Sequence, residues 1–209
     1  MVRNGTSDKE EIVELPTIIL LRHGQTVWNV EGRYQGQLDS PLTQKGKNQA
    51  KENALKIKRI IEPLDTFMFV SSPLGRAKET TQIMVKELNI DREKIEFLDA
   101  IKEFNYGKFE GQTKAFCQEV YKEEFELREA NKWSYIIDGG ESYEMVTQRL
   151  NVWLKSLNKD KVVVMVAHEM INRALRGIYC GLEKKKMLQL RQNNDVVIIL
   201  ENASERLLG

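Results

Sequence analysis

The chain contains two histidines, and each directly follows an apolar run of the kind that forms a buried strand. Ile18-Ile19-Leu20-Leu21 leads into Arg22-His23-Gly24, and the run from Val162 to Ala167 leads into His168. A third run, Phe67-Met68-Phe69-Val70, leads into Ser71-Ser72-Pro73-Leu74-Gly75-Arg76. In an open α/β sheet, ligands bind outside the carboxyl ends of the strands, so the two imidazoles and two guanidiniums are expected to face one pocket. That combination suits chemistry on a phosphate. A neutral imidazole can attack phosphorus and hold the phosphoryl group covalently. A guanidinium beside it grips phosphate oxygens through paired hydrogen bonds, and its charge disfavours protonation of the imidazole. Arg22, next to His23, and Arg76 supply this. His168 would donate a hydrogen bond to the same phosphate, and the amides after Pro73 would add the positive end of a helix. The leaving oxygen of an ester also needs a proton. Glu103, in Glu103-Phe104-Asn105-Tyr106-Gly107, is the candidate donor, because a carboxyl in a partly closed site holds its proton.

Each residue alone has an ordinary explanation. A single histidine after a strand is more often structural, Arg22 and Arg76 would suit surface ion pairs of little energetic weight, and Glu103 suits the first turn of a helix. Convergence of four strand-end elements favours the functional account. Zinc is the rival occupant for His23, His168 and Glu103, but neither HExxH nor clustered ligand spacing occurs. No metal and no cofactor is expected.

The elements that must position these groups alternate between apolar runs and amphipathic stretches, the pattern of a mainly parallel sheet flanked by helices. The first strand is expected over Thr17–Leu21, followed by a loop from Gly24 to about Leu42. Thr43 reads as the N-cap of a helix ending near Pro63. After the Phe67–Val70 strand, Pro73 suits the first turn of a helix running to about Leu88. Ile95–Leu98 reads as a short strand, and Gln112 to about Ala130 as a charged, exposed helix. Gly139-Gly140 breaks the chain, and Ser142 begins another helix. Met170–Ile178 is expected to be helical and Asp195–Leu200 to return as the last strand. The segment 104–138 is the expected cover over the pocket, with Trp133 and Tyr135 as candidate selectors of substrate or anchors to the core.

With 209 residues and 41% hydrophobic content, the chain fits one domain with a single core. Residues 1–14 are polar and read as a flexible tail, leaving 15–209 as the folded domain. Lys plus Arg number 32 against 31 for Asp plus Glu, a balance that argues against a nucleic-acid or anionic-membrane surface. No apolar run approaches a bilayer-spanning length. Cys117 and Cys180 lack metal or redox spacing and read as reduced thiols of a cytoplasmic protein. The oligomeric state stays open, a homodimer among the options.

The same residues resemble, in order, the motif set of the histidine phosphatase superfamily, which includes the phosphoglycerate mutases. The first block is Leu21-Arg22-His23-Gly24-Gln25-Thr26-Val27-Trp28-Asn29. Gly36 through Thr43 with Gly46, Ser71 through Ala77 with Thr80, Glu103 through Gly107 with Glu110-Gly111, Gly140-Glu141-Ser142, and His168 with Arg173 follow. The resemblance spans about Thr17 to Leu200 and implies a three-layer α/β fold around a mostly parallel sheet. It implies His23 as the phosphorylated nucleophile and Glu103 as proton donor and later base. It places Arg22, Arg76 and His168 on the phosphate, Asn29 at its edge, and Gln35, Gly36 and Tyr106 on the substrate side. The expected partner is a small phosphorylated substrate.

One position departs from the family, which usually has glycine after the second histidine where this chain has Glu169. A carboxylate turned inward there is expected to repel a dianion, and one turned outward to solvent to change nothing. Cofactor-dependent mutases of the family usually carry a longer, basic, proline-bearing insertion after the acid. Here 35 residues without proline separate Glu103 from Gly139, and Lys114, Lys122, Arg128 and Lys132 are offset by Glu119, Glu123, Glu124, Glu126 and Glu129. A phosphatase is therefore expected ahead of a mutase, and ahead of a non-catalytic phospho-ligand or protein-binding module, since no reacting residue is missing.

Overall fold

The computed structural model describes residues 15–62 and 67–208, so the expected tail at 1–14 lies outside the described residues, while the helix expected to end near Pro63 ends at Ile61 with Glu62 as its C-cap. The strands are β1 (Thr17–Arg22), β2 (Phe67–Ser71), β3 (Ile95–Phe97), β4 (Val162–Ala167), β5 (Val197–Glu201) and β6 (Ser204–Leu208). They form one mixed sheet in the order β3-β2-β4-β1-β5-β6. The pairs β1·β4, β2·β4 and β2·β3 are parallel, while β1·β5 and β5·β6 are antiparallel. β1 and β4 read as unbroken apolar runs because helices cover both faces of the sheet. Ile18 and Leu20 point into one core with Val163 and Met165; Ile19 and Leu21 point into the other with Val164 and Val166.

The second core is closed by α2 (Gln44–Ile61) and α3 (Gly75–Glu87), through Ala50, Ala54 and Ile57 and through Ala77, Met84 and Val85. A short α1 (Val27–Glu31) precedes them. The first core takes α6 (Tyr143–Ser156) and α7 (Glu169–Tyr179), through Tyr143, Val146, Leu150, Ile171 and Leu175. The remaining helices are α4 (Lys114–Val120), α5 (Lys122–Ala130) and α8 (Lys184–Met187). Thr43 and Ser142 cap α2 and α6 by accepting from the amides of Gly46 and Met145, as their types and positions predict.

Several expectations are corrected. Pro73 lies before Leu74, the N-cap of α3, and not in its first turn. The single helix expected over Gln112–Ala130 is two, parted at Tyr121, whose ring stacks on Phe109 at 5.7 Å. The last expected strand starts at Val197, and the chain then turns back through Asn202 and Ala203, both at positive φ, to add β6.

The parallel ladder extends past the strand ends: the His23 amide donates to the Ala167 carbonyl and the Ser72 amide to the Val166 carbonyl, each at 3.0 Å. The ends of β1, β2 and β4 are thereby locked together. Gly24 allows the next step, since a Cβ there would lie 2.3 Å from the carbonyl oxygen of Gly46 at the start of α2. Any side chain would push that helix off the strand end.

Candidate active site

A cavity of about 240 Å³ opens at these strand ends, lined among others by Arg22, His23, Arg76, Glu103, Tyr106 and Glu169. That is below the roughly 300–1,000 Å³ typical of drug-sized ligand pockets, so it fits a small molecule. His23 is 2% exposed. Its Nδ1 is 2.8 Å from the Gly24 carbonyl oxygen. A carbonyl only accepts, so Nδ1 carries the proton and Nε2 keeps its lone pair. Arg76 Nε donates to that Nε2 at 3.3 Å. Burial, reinforced by Arg76 and Arg22, holds the His23 imidazole well below the ordinary histidine range. The ring is therefore neutral and nucleophilic at neutral pH.

Arg76 is itself held hard. Its NH1 donates to the Leu38 carbonyl (2.7 Å) and to Asp39 Oδ1 (2.9 Å), and its NH2 to the Gly36 carbonyl (2.6 Å). Asp39 also accepts from the amides of Gly75 (2.6 Å) and Arg76 (3.1 Å). The positive end of α3, expected on the phosphate, is therefore spent on Asp39. Nothing but a tertiary contact could show this, because Asp39 and Arg76 are far apart in the chain.

Glu103 follows β3 and a short turn and is 6% exposed. Its Oε1 accepts from the Phe104 amide at 2.8 Å and its Oε2 from the Met170 amide at 3.4 Å. Burial raises its pKa against the opposing Phe104 hydrogen bond and the charge of Arg76, so desolvation outweighs the favourable contacts. The loop that carries it is pinned by Arg149, which donates to the carbonyls of Ala100 and Lys102 and pairs with Glu141. Glu110 joins this loop to the Gly36 loop by accepting from the amides of Gln37, Leu38 and Tyr106. The motif blocks quote Asp39, Glu110 and Glu141, but their positioning work was not legible from type and spacing.

The sequence-derived residues divide into two groups. Arg22, His23, Asn29, Gln35, Gly36, Arg76, Glu103 and Tyr106 share the cavity wall. Asn29 also accepts from the Thr26 amide through Oδ1 in the capping box of α1, so half of its side chain serves the helix. His168 stands behind the wall, fully buried, its ring 5.2 Å from that of His23. Its Nε2 lies 2.7 Å from Ser72 Oγ, and its buried Nδ1 has no partner among the described residues. Burial and Arg76 hold its pKa well below the ordinary range.

From the segment 104–138, Tyr106 and Lys114 reach the cavity. Trp133 and Tyr135 pack instead against the core, and Lys184 sits 4.4 Å above the Trp133 ring. Glu169 lines the cavity, but its carboxylate is shared between Arg22 NH1 at 3.0 Å and Arg173 NH2 at 3.1 Å. It thus meets neither simple expectation, an unpaired inward charge or a solvated one. Among the described residues no group of three or more His, Cys, Asp or Glu is placed to hold a metal ion, and no helix is long and apolar enough to cross a membrane.

At its strand ends the mixed α/β sheet gathers a neutral imidazole, two guanidiniums and a buried carboxyl whose pKa is raised, an arrangement whose chemistry suits a phosphoryl group. The chain belongs to the histidine phosphatase superfamily (branch 1), whose model matches residues 18–207. It is 35% identical over 170 residues to phosphoserine phosphatase 1 of Hydrogenobacter thermophilus, covering 79% of this chain and 75% of that protein. It is 32% identical over 211 residues to a probable 2-carboxy-D-arabinitol-1-phosphatase of Arabidopsis thaliana, covering 96% of this chain but 41% of that longer protein. A probable phosphoglycerate mutase of Shigella dysenteriae is 33% identical over 184 residues, covering 85% of this chain and 80% of the mutase. Among solved structures, a mycobacterial glucosyl-3-phosphoglycerate phosphatase in complex with VO3 superposes with a TM-score of 0.74 at 26% identity, covering 92% of this chain and 97% of the other.

Proposed function

We propose that this protein is a phosphomonoester hydrolase that acts on a small phosphorylated metabolite through a phosphohistidine on His23. The observation that carries this reading is the His23 ring: its Nδ1 proton is fixed on Gly24, and its Nε2 lone pair is held at the cavity by Arg76. In the first step the Nε2 lone pair attacks phosphorus and the ester P–O bond breaks. The leaving oxygen takes the Glu103 proton. In the second, the Glu103 carboxylate takes a proton from water, the water oxygen attacks phosphorus, and the P–N bond breaks to release inorganic phosphate. Arg22 and Arg76 compensate the phosphoryl charge in a buried site where such contacts count for more than in water. His168, whose ring lies 5.2 Å from that of His23 and whose Nδ1 has no partner among the described residues, is the proposed further donor, with Asn29 at the phosphate edge. Gln35, Gly36 and Tyr106 face the alcohol portion. Every step uses the chain's own groups.

The segment 104–138 is proposed to shape the substrate side through Tyr106 and Lys114. Free Cys117 and Cys180 fit a cytoplasmic protein. A second reading, return of the phosphoryl group to another hydroxyl as in a mutase, is favoured by Arg33 and Lys114 on the cavity wall, which would hold a second acidic group. A panel of phosphomonoesters tests both: release of inorganic phosphate supports the hydrolase, and isomerisation of phosphoglycerates without release supports the mutase.

A further inference from the structure

Glu169 stands at the first position of α7, directly after His168. Its two carboxylate oxygens connect two arginines that lie on different elements. Oε1 takes Arg173 NH2 at 3.1 Å and Oε2 takes Arg22 NH1 at 3.0 Å. Arg173 is held on its other edges. It is 6% exposed and donates through Nε to the Leu190 carbonyl and through NH1 to the Tyr143 hydroxyl, each at 2.8 Å. Arg22 NH1 makes one other bond, to the Gln192 carbonyl at 2.9 Å. Arg22 Nε, in contrast, is buried without a partner among the described residues.

This division of labour around one guanidinium matters because its N–H groups form distinct edges. NH1 lies on the side away from Nε, whereas Nε and NH2 form the parallel fork that matches two oxygens of a phosphate. Anchoring NH1 on Glu169 and Gln192 therefore leaves the fork for a ligand. A phosphate oxygen would give Arg22 Nε an acceptor that none of the described residues supplies.

We propose that Glu169 is a positioning residue for phosphate binding, a carboxylate strut that braces Arg22 against Arg173 and presents the Nε/NH2 edge to the phosphoryl group. The proposal rests on the reading of the cavity as a phosphate site. The carboxylate is compensated by two guanidiniums, so the Arg22–Glu169–Arg173 group carries a net positive charge and the repulsion expected from Glu169 alone is offset. What the strut adds is order: immobilising one rotamer-rich side chain costs about 0.5–1.5 kcal/mol at the moment of binding, and Glu169 meets that cost during folding.

The test is the affinity for inorganic phosphate, measured by calorimetry on wild type, Glu169→Ala, Glu169→Gln, Arg22→Ala and the double variant Arg22→Ala/Glu169→Ala. Glu169→Ala is expected to weaken phosphate by roughly three- to tenfold, the factor that corresponds to losing that pre-ordering. Glu169→Gln keeps one acceptor and should recover part of the loss. In the Arg22→Ala background, Glu169→Ala should have no further weakening effect, because the strut has nothing left to hold. Melting temperatures accompany each measurement: a lower melting temperature in Glu169→Ala with unchanged phosphate affinity would reduce Glu169 to a structural role and overturn the proposal. Tighter phosphate binding by Glu169→Ala would mean that repulsion outweighs order, and equal weakening with and without Arg22 would mean that Glu169 acts by another route. Each of these sinks the strut while leaving the phosphate site standing. If wild type binds no phosphate, the functional reading falls and the strut with it.

Discussion

Replacing Glu103 by Gln removes one proton and little else, which makes it the sharpest probe of the chemistry. The side chain keeps its shape. The amide oxygen can accept the 2.8 Å hydrogen bond from Phe104, and only the long 3.4 Å contact from Met170 is left facing a donor. That second loss is worth on the order of 1 kcal/mol. It is opposed by a gain, because Glu103 is buried and its pKa is raised mainly by desolvation. The sign follows from proton linkage. A carboxyl with a folded-state pKa above its unfolded value binds more protons when folded, so wild type loses stability as pH rises from the unfolded carboxylate range through the raised pKa. The Gln variant has no such loss. It should melt no lower than wild type at neutral pH, and its relative advantage should shrink as pH falls into the ordinary carboxylate range.

Activity should respond quite differently. General acid catalysis contributes roughly 100- to 10,000-fold, and alkyl leaving groups need it while nitrophenyl leaving groups scarcely do. Steady-state kinetics of Glu103→Gln on an alkyl phosphate and on p-nitrophenyl phosphate should show a loss in that range for the first and a much smaller one for the second. The wild-type kcat/KM on alkyl esters should rise as pH passes the lowered pKa of His23 and fall as pH passes the raised pKa of Glu103. The falling limb should disappear in the variant. Equal losses on both esters would refute the assignment of Glu103 as the acid for the leaving group.

Three other outcomes are expected. His23→Ala should lower turnover by several powers of ten, and acid-labile, base-stable phosphate incorporated from substrate should appear on wild type but not on the variant; near-normal hydrolysis by His23→Ala would end the phosphohistidine mechanism. Prolonged chelation should leave activity intact, and loss of activity restored by an added metal would contradict a reaction run by the chain's own groups. Lys114→Ala should change relative kcat/KM across a phosphomonoester panel, because Lys114 lines the cavity. Trp133→Ala, which removes a ring packed on the core beneath Lys184, should destabilise by about 1–3 kcal/mol with little change in selectivity. The reverse pattern in the two variants would return Trp133 to the substrate side.

The sequence by itself determined whatever is written in local order. Unbroken apolar runs specify strands covered on both faces, and Thr43 and Ser142 mark helix starts by their own hydroxyls. The residue immediately after a strand must stand at the strand's end, so His23, His168 and the Arg76 loop could be placed on one edge before any contact was known. Glu103 was found by the same logic, one turn beyond β3. Only the tertiary structure decided how those groups are held. Asp39 binds the start of α3 and Arg76, Glu110 joins two loops, and Glu169 joins Arg22 to Arg173. It also set His168 behind the cavity wall on Ser72 and divided the 104–138 segment into residues that meet the cavity and aromatics that meet the core. The reason is physical: a carboxylate accepts from any amide or guanidinium within reach, and which donor comes within reach is fixed by packing between elements remote in the chain. Periodicity records which face of an element is buried, but not which charge on one element will meet which partner on another.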